Sequence, residues 1–116
     1  MKLTSEKDAL VVDLPGRTFK VILDDEILGS KQMSFGVAVI PEGSGLPWHI
    51  HEGSDEIIYV LQGMGAAESR EVTNSIDQGT VLLMESGSEH RILNQGKGEM
   101  KLLCSFSPPV KIRSPK

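Results

Sequence analysis

The sequence is poor in the residues that several large classes of protein depend on. Its one cysteine, Cys104, excludes an internal disulfide and suits a reducing compartment. Lys and Arg number 12 against 16 Asp and Glu, a formal net charge of −4, so the clustered positive charge of a nucleic-acid surface is missing. No apolar run approaches the roughly 20 residues of a membrane span. We therefore expect a cytoplasmic protein that binds neither nucleic acid nor a membrane.

Sustained helical periodicity is also missing, and short apolar stretches alternate instead with turns rich in glycine, proline and acidic residues. This pattern is typical of an all-β sandwich or barrel. The predicted strands cover residues 9–12, 18–23, 32–40, 57–61, 64–71, 72–76, 80–84 and 100–106. At 116 residues the chain fits one domain spanning residues 1–116.

Histidine is scarce as well, and two of the three histidines stand two residues apart. Because side chains on a strand alternate between its faces, His49 and His51 point to one side, while Trp48 points to the other, where we expect it to pack. A turn then leads to Glu56, which opens the next strand and can return beside the histidines. Imidazole nitrogens suit Zn, Cu, Fe and Ni, and a carboxylate extends the set toward Mn.

A His-x-His pair on a strand is by itself more often incidental than a metal site. Here, however, the third histidine, His90, lies in a second glycine-punctuated strand segment. No histidine remains for a scattered surface role, so the composition favours a shared site.

The two segments resemble the paired motifs of the cupin superfamily. The first motif, residues 43–63, has Gly, five residues, His-x-His, four residues, Glu, six residues and Gly. The second, residues 79–94, has Gly, five residues, Pro-x-Gly, two residues, His, three residues and Asn, with Glu85 standing in place of the proline. The matching positions are Gly43, His49, His51, Glu56 and Gly63 in the first motif and Gly79, Gly87, His90 and Asn94 in the second.

The resemblance implies a small single-domain cupin, which is an antiparallel double-stranded β-helix, or jelly-roll barrel. It also implies that His49, His51, Glu56 and His90 hold one divalent transition metal per chain, with Mn, Fe, Ni, Co, Zn and Cu all open.

The strand after Glu56 is apolar on both faces. If Glu56 faces the pocket, Ile58 and Val60 do too, while Ile57, Tyr59 and Leu61 face outward. A strand that is apolar on both faces is expected to be covered on both sides. The cover is either the chain's own terminal strand or a second copy, and the pairing of barrels in the family favours a homodimer.

The same alternation predicts an apolar pocket wall, made by Val37, Val39, Ile58, Val60 and Ile92. Besides Glu56, no general base can be placed in this pocket from the sequence. Cys104 is expected to be a small buried apolar residue rather than a nucleophile, and Glu68 and Glu85 cannot be placed. The acidic residues 24–26 and the basic tail, residues 111–116, are expected to be solvated.

Three functions stay open. The chain is a metal-dependent enzyme acting on a small oxygen-rich molecule, a sugar acid, keto acid or diol, by isomerase, lyase or dioxygenase chemistry, with Glu56 as a catalytic residue. Alternatively it binds a sugar or carboxylate without chemistry. In the third case the metal only stabilises a dimer. The fold alone does not decide between them.

Overall fold

Ten antiparallel strands form two facing sheets in a computed structural model, which describes residues 1–113. These residues contain one short 3-10 helix, Glu6–Asp8, and no α-helix. No helix among them is long and apolar enough to cross a membrane. The strands are β1 Leu10–Leu14, β2 Arg17–Leu23, β3 Ser34–Ile40, β4 Gly45–His49, β5 Asp55–Gln62, β6 Met64–Glu68, β7 Thr73–Asp77, β8 Val81–Met84, β9 His90–Asn94 and β10 Met100–Ser107. The expected all-β, antiparallel jelly roll is confirmed.

The two sheets enclose the apolar core. The larger sheet has the order β1-β2-β3-β10-β5-β8, and the smaller has the order β4-β9-β6-β7. Ile58, Val60 and Ile92 are fully buried between the sheets. On β10, alternate residues from Met100 to Phe106 face inward, as the strand period of two requires.

The face that β3 turns inward is opposite to the one predicted. Ala38 and Ile40 belong to the core, while Val37 pairs with Leu103 on the outer side of the sheet, and Val39 shares its face. The reason is the limited space inside the barrel, because the Phe19 side chain of β2 fills the interior beside β3. A Cβ on Gly36 would come within 2.7 Å of the Lys20 carbonyl oxygen and closer still to the Phe19 ring. Only the face with small residues fits inward.

Alternate side chains of β5 face outward, as the parity of Glu56 predicts, and they are exposed. Ile57, Tyr59 and Leu61 are 51%, 37% and 44% exposed. The terminal strand β10 lies beside β5 in the same sheet rather than over it. In the part of the chain that the structure describes, therefore, no segment covers these side chains, and the alternative of an internal cover is wrong.

The tail and the acidic bend bind each other, contrary to the prediction that both are solvated. Arg113 Nη1 lies 2.9 Å from Asp24 Oδ2, and Lys111 Nζ lies 2.8 Å from Glu26 Oε2. Asp24 is 1% exposed and accepts the backbone N–H groups of Glu26 and Ile27. These contacts hold Ile112 against the core. The rest of the tail, residues 114–116, lies outside the described residues.

Asn94, the last residue of the second motif, connects two loops, the one after β3 and the one after β9. Its buried Nδ2 lies 3.0, 3.1 and 2.9 Å from the carbonyl oxygens of Ile40, Pro41 and Gly98, which share its two N–H donors. Its Oδ1 accepts the Gly96 N–H at 3.1 Å. The motif asparagine therefore has a structural role, because its hydrogen bonds hold the end of β9 to the neighbouring loops.

We expect Asn94→Asp to lower the free energy of unfolding by about 1–3 kcal/mol, because a carboxylate cannot donate to the carbonyl oxygens around it. Urea unfolding at neutral pH measures the change, with Asn74→Asp on the exposed strand β7 as the matched control. Equal stability of Asn94→Asp and the wild type would contradict this role.

Candidate metal centre

A register irregularity in β4 brings the first histidine into the interior. Leu46 pairs with Ile92 and His49 pairs with His90, and the register shifts between these two pairs. Leu46 and His49 consequently both border the interior cavity although they are three residues apart. Strand β4 ends at His49, and His51 borders the same cavity from the following loop. The predicted shared pocket is confirmed, with the two ring centroids 5.1 Å apart.

Hydrogen bonds between the two motif turns fix the loop that carries His51. The Gly87 N–H donates to the His51 carbonyl at 2.9 Å, and the Gly53 N–H donates to Ser86 Oγ at 2.8 Å. In return the Ser86 N–H donates to Asp55 Oδ1 at 2.9 Å. Because β9 follows directly after the turn of residues 85–88, these contacts set His51 and His90 relative to each other.

Glu85, which replaces the motif proline, does not disturb this turn. Its carbonyl accepts the Ser88 N–H at 3.0 Å, and Gly87 supplies the positive φ of 83° that the turn needs. The Glu85 side chain is exposed. The glycine thus suffices to close the turn.

Glu56 lies between two of the histidines at the bottom of the cavity. It is 3% exposed, and its Oε1 lies 3.6 Å from His51 Nε2 and 3.8 Å from His90 Nε2. One ligand atom from each of His49, His51 and Glu56 lies within 4.8 Å of the others, a cluster that could hold a metal ion. His90 adjoins this cluster, with its ring centroid 4.2 Å from that of His49.

Two of the histidines are held in the tautomer that a metal requires. Their Nδ1 atoms lie 2.8 Å from the Pro47 carbonyl in His49 and 2.9 Å from the Ser88 carbonyl in His90. A carbonyl oxygen only accepts, so both Nδ1 atoms carry the proton and both Nε2 atoms offer a lone pair. Such an outer-shell hydrogen bond is the usual support of a metal-binding histidine.

Within the described residues, His90 Nε2 and Glu56 Oε1 are buried and have no hydrogen-bond partner. The protein thus keeps two buried acceptor atoms 3.8 Å apart with no donor between them. Such an arrangement is costly unless a cation or a proton lies there. The donor set therefore fits a divalent transition metal.

The local electrostatics agree with a neutral set of imidazoles. Burial lowers the pKa of His49 to about 4, although its hydrogen bond to Pro47 acts in the opposite direction. Burial and the neighbouring His90 lower the pKa of His51 to about 4. Burial raises the pKa of Glu56 to about 7, although the Cys104 thiol and the charge of Arg17 act to lower it. The protein without a metal thus resists both a cationic histidine and an anionic Glu56.

The cavity above these residues has a volume of about 20 Å³, enough for one water-sized molecule or ion. Its other walls are two aromatic rings, Phe19 and Phe106, together with Ile112, Cys104 and Arg17. None of the five residues predicted for the wall borders the cavity. Val37 and Val39 lie on the face of β3 opposite Ala38 and Ile40, and Ile58, Val60 and Ile92 are core residues away from the cavity.

Arg17 is the site residue that sequence reasoning missed. The parity of Phe19 and Val21, extended back by one step, would have placed it on the inner face of β2. The turn before it is anchored to the first motif, because Ser44 Oγ donates to the Gly16 carbonyl at 2.9 Å. Burial lowers the pKa of the Arg17 guanidinium, although the nearby Cys104 and Glu56 act to raise it.

Two other acidic or aromatic candidates lie away from the cluster. Glu68 on β6 accepts hydrogen bonds from Arg91 and Thr73 and borders a separate cavity of about 210 Å³ that reaches the other side of His90. Trp48 is half-buried on the outer face, with the Arg70 guanidinium 3.9 Å and that of Arg91 5.0 Å from its ring centroid. Trp48 therefore packs away from the ligands, as predicted.

Several known proteins have similar sequences and folds. The chain is 33% identical over 83 residues to the oxalate-binding protein of Thermotoga maritima, covering 72% of this chain and 69% of that one. It is 29% identical over 94 residues to an uncharacterized protein of Methanocaldococcus jannaschii, covering 81% of this chain and 75% of that one.

The crystal structure of a predicted oxalate decarboxylase from Thermotoga maritima has the same fold, with a TM-score of 0.80 at 24% identity. The superposition covers 92% of this chain and 99% of that one. Residues 36–106 match the family described as Cupin domain. Since this match takes in both histidine segments and the strands that carry them, the chain belongs to the cupin family.

Proposed function

We propose that His49, His51, Glu56 and His90 hold one divalent transition metal, and that the chain is a metal-dependent enzyme acting on a small oxygen-rich molecule. The observation that supports this most is the pair of buried acceptors, Glu56 Oε1 and His90 Nε2, which have no donor between them. A bound cation satisfies both atoms at once. Sugar acids, keto acids and diols are the substrate classes considered, by isomerase, lyase or dioxygenase chemistry.

The donor set fits several metals and leaves room for a ligand. Three imidazole nitrogens and one carboxylate suit Mn, Fe, Ni, Co, Zn or Cu. A five- or six-coordinate ion accepts more ligands than these four side chains supply. An incomplete set of protein ligands is typical of catalytic rather than structural sites. When bound, the metal supplies a Lewis acid that polarises a substrate oxygen.

The chain's own residues prepare the space beside the metal site. Phe19, Phe106 and Ile112 make most of the cavity wall apolar. Apolar walls lower the local dielectric constant and so strengthen the electrostatic interactions inside the cavity. Glu56 is the carboxylate placed to take or hold a proton at its Oε atoms next to the bound molecule, so we assign it the catalytic role.

A binding protein without chemistry is the second candidate. Among the described residues that line the metal cavity, Glu56 is the only carboxylate, and Cys104 is 2% exposed with a pKa raised far above its ordinary value by burial. A pocket so poor in proton-transfer groups favours capture of a ligand. The similarity to a protein named for oxalate binding supports the same alternative.

We also propose that the chain forms a homodimer through the outer face of β5. Ile57, Tyr59 and Leu61 are exposed there, and Val81 and Leu83 of β8, both 62% exposed, are the cross-strand partners of Tyr59 and Ile57. A contiguous apolar patch of this kind is unusual on a monomer. The single buried cysteine suits the reducing cytoplasm, in which we place the protein.

The first prediction concerns the metal. Purified protein incubated with Mn, Fe, Co, Ni or Zn salts should bind about one ion per chain by elemental analysis. His90→Ala should weaken binding by more than the roughly 10- to 100-fold that loss of an outer-shell partner costs. Ile50→Ala, between the two histidines and 44% exposed, is the control that should bind normally. Full metal affinity in His90→Ala would remove His90 from the ligand set.

The second prediction concerns assembly. Light scattering at micromolar concentration should give a dimer, and Tyr59→Glu should give a monomer with unchanged metal content, because a charge on the buried face of the dimer costs more than it does in water. Val11→Glu, on the exposed strand β1, is the control. A wild-type monomer would contradict the proposed dimer.

The third prediction separates catalysis from binding. With metal content matched, Glu56→Gln should reduce turnover about 10²-fold or more, the scale for losing a positioned proton-transfer group, because the amide can still coordinate but cannot accept the proton. The assay screens sugar acids, keto acids and diols and follows oxygen uptake in parallel. Unchanged turnover in Glu56→Gln would refute its catalytic role, and calorimetric binding without turnover for any metal would establish the second candidate instead.

A further inference from the structure

We propose that Arg17 is the residue that recognises the substrate or ligand, and that this molecule is a short organic acid whose carboxylate pairs with the Arg17 guanidinium. The inference rests on the proposed metal-dependent function and narrows its substrate class. It removes uncharged diols from the proposed substrate classes. It also assigns to the cavity a second group that binds the ligand, on the wall formed by β2.

Arg17 differs from the other arginines in having no acidic partner. Of the four arginines in the sequence, the other three pair with acidic side chains, Arg70 with Glu89, Arg91 with Glu68, and Arg113 with Asp24 and Glu26. Arg17 forms no ion pair with any residue from 1 to 113, and its Nη1 donates to the Pro15 carbonyl at 2.9 Å. Since a guanidinium has five N–H donors, most of its hydrogen-bonding capacity is still available.

Arg17 borders the cavity of the candidate metal centre. It lines the same cavity as His49, His51 and Glu56, and its charge acts on all three groups. A half-buried cation beside a cluster that itself attracts a cation raises the positive potential of the cavity. A bound anion would explain why the protein has the Arg17 guanidinium in this cavity without an acidic partner.

A charge count points the same way. A divalent ion bound by three neutral imidazoles and one carboxylate keeps one net positive charge, and Arg17 adds a second. An organic acid compensates this charge, whereas a neutral diol would leave it uncompensated in a partly desolvated cavity. The planar fork of a guanidinium also matches the two oxygens of a carboxylate.

The size of the cavity limits the acid. The cavity's free volume of about 20 Å³, with Phe19, Phe106 and Ile112 around it, is that of one water-sized group, so only a small group enters beside Arg17. Short dicarboxylates and short keto acids are the smallest acids that carry one oxygen-bearing group for the metal and one carboxylate for Arg17.

The test compares acids with their own amides. Metal-loaded protein is titrated by calorimetry with oxalate, oxamate and oxamide, and with pyruvate and pyruvamide, which differ mainly in charge. Wild-type protein should prefer the acids, and Arg17→Gln should weaken acid binding about 10- to 100-fold while leaving any amide binding unchanged, as loss of a charge-assisted hydrogen-bonded pair requires. Arg17→Lys should recover part of the loss, because it keeps the charge without the fork.

Two control variants separate this role from a general effect of charge or packing. Arg70→Gln removes a surface arginine, and Asn74→Ala changes the separate cavity of about 210 Å³ beyond His90. Both should bind acids like the wild type. If acid affinity depends on Asn74 and not on Arg17, the ligand enters from the other side and the proposal is overturned.

Metal content, measured by elemental analysis on every sample, distinguishes the two levels of the proposal. If wild-type protein holds no metal, the proposed function itself fails. If metal is bound but the acids bind no better than their amides, or bind Arg17→Gln as tightly as wild type, only the role of Arg17 fails. Should Arg17→Gln not fold by circular dichroism, Arg17→Lys decides, and unchanged acid affinity in that variant overturns the proposal.

Discussion

Two buried acceptor atoms that face each other without a donor are the constraint on which the site depends. His90 Nε2 cannot donate to Glu56 Oε1, because the proton of His90 is held on Nδ1 by the Ser88 carbonyl. A protein that only needed a packed core would place apolar groups at these positions, since buried unpaired acceptors are destabilising. A bound cation would offset this destabilisation of the folded state, and the offset would be larger the more tightly the site binds the cation.

The jelly roll serves this constraint by bringing together residues that are far apart in the sequence. Strands β4 and β9 lie side by side, so that His49 and His90 are direct partners. The facing sheet supplies Glu56 from β5, and the two motif turns are joined by hydrogen bonds between residues 51–55 and 86–87. The hydrogen bonds of Asn94 fix the other end of β9. The proposed ligand set is thus held by strands and turns that the fold already requires.

The sequence was sufficient wherever the argument was local. The alternation of side chains on a strand correctly separated Ile58 from Tyr59, because parity depends only on neighbouring residues. It also grouped His49 with His51, although β4 ends at His49 and His51 reaches the cavity from the following loop. It failed on β3, where both faces are apolar and the bulk of Phe19, a residue of another strand, decides which face points inward. The ion pairs between Arg113 and the acidic bend, and the presence of Arg17 in the cavity, likewise depend on contacts between distant segments.

The metal assignment can be tested directly by anomalous diffraction from a crystal soaked with Mn or Zn. We predict one peak per chain at about 2.0–2.2 Å from the Nε2 atoms of His49, His51 and His90 and from a carboxylate oxygen of Glu56. A crystal that takes up no ion between these four side chains, or that binds it only at the surface, would contradict the account.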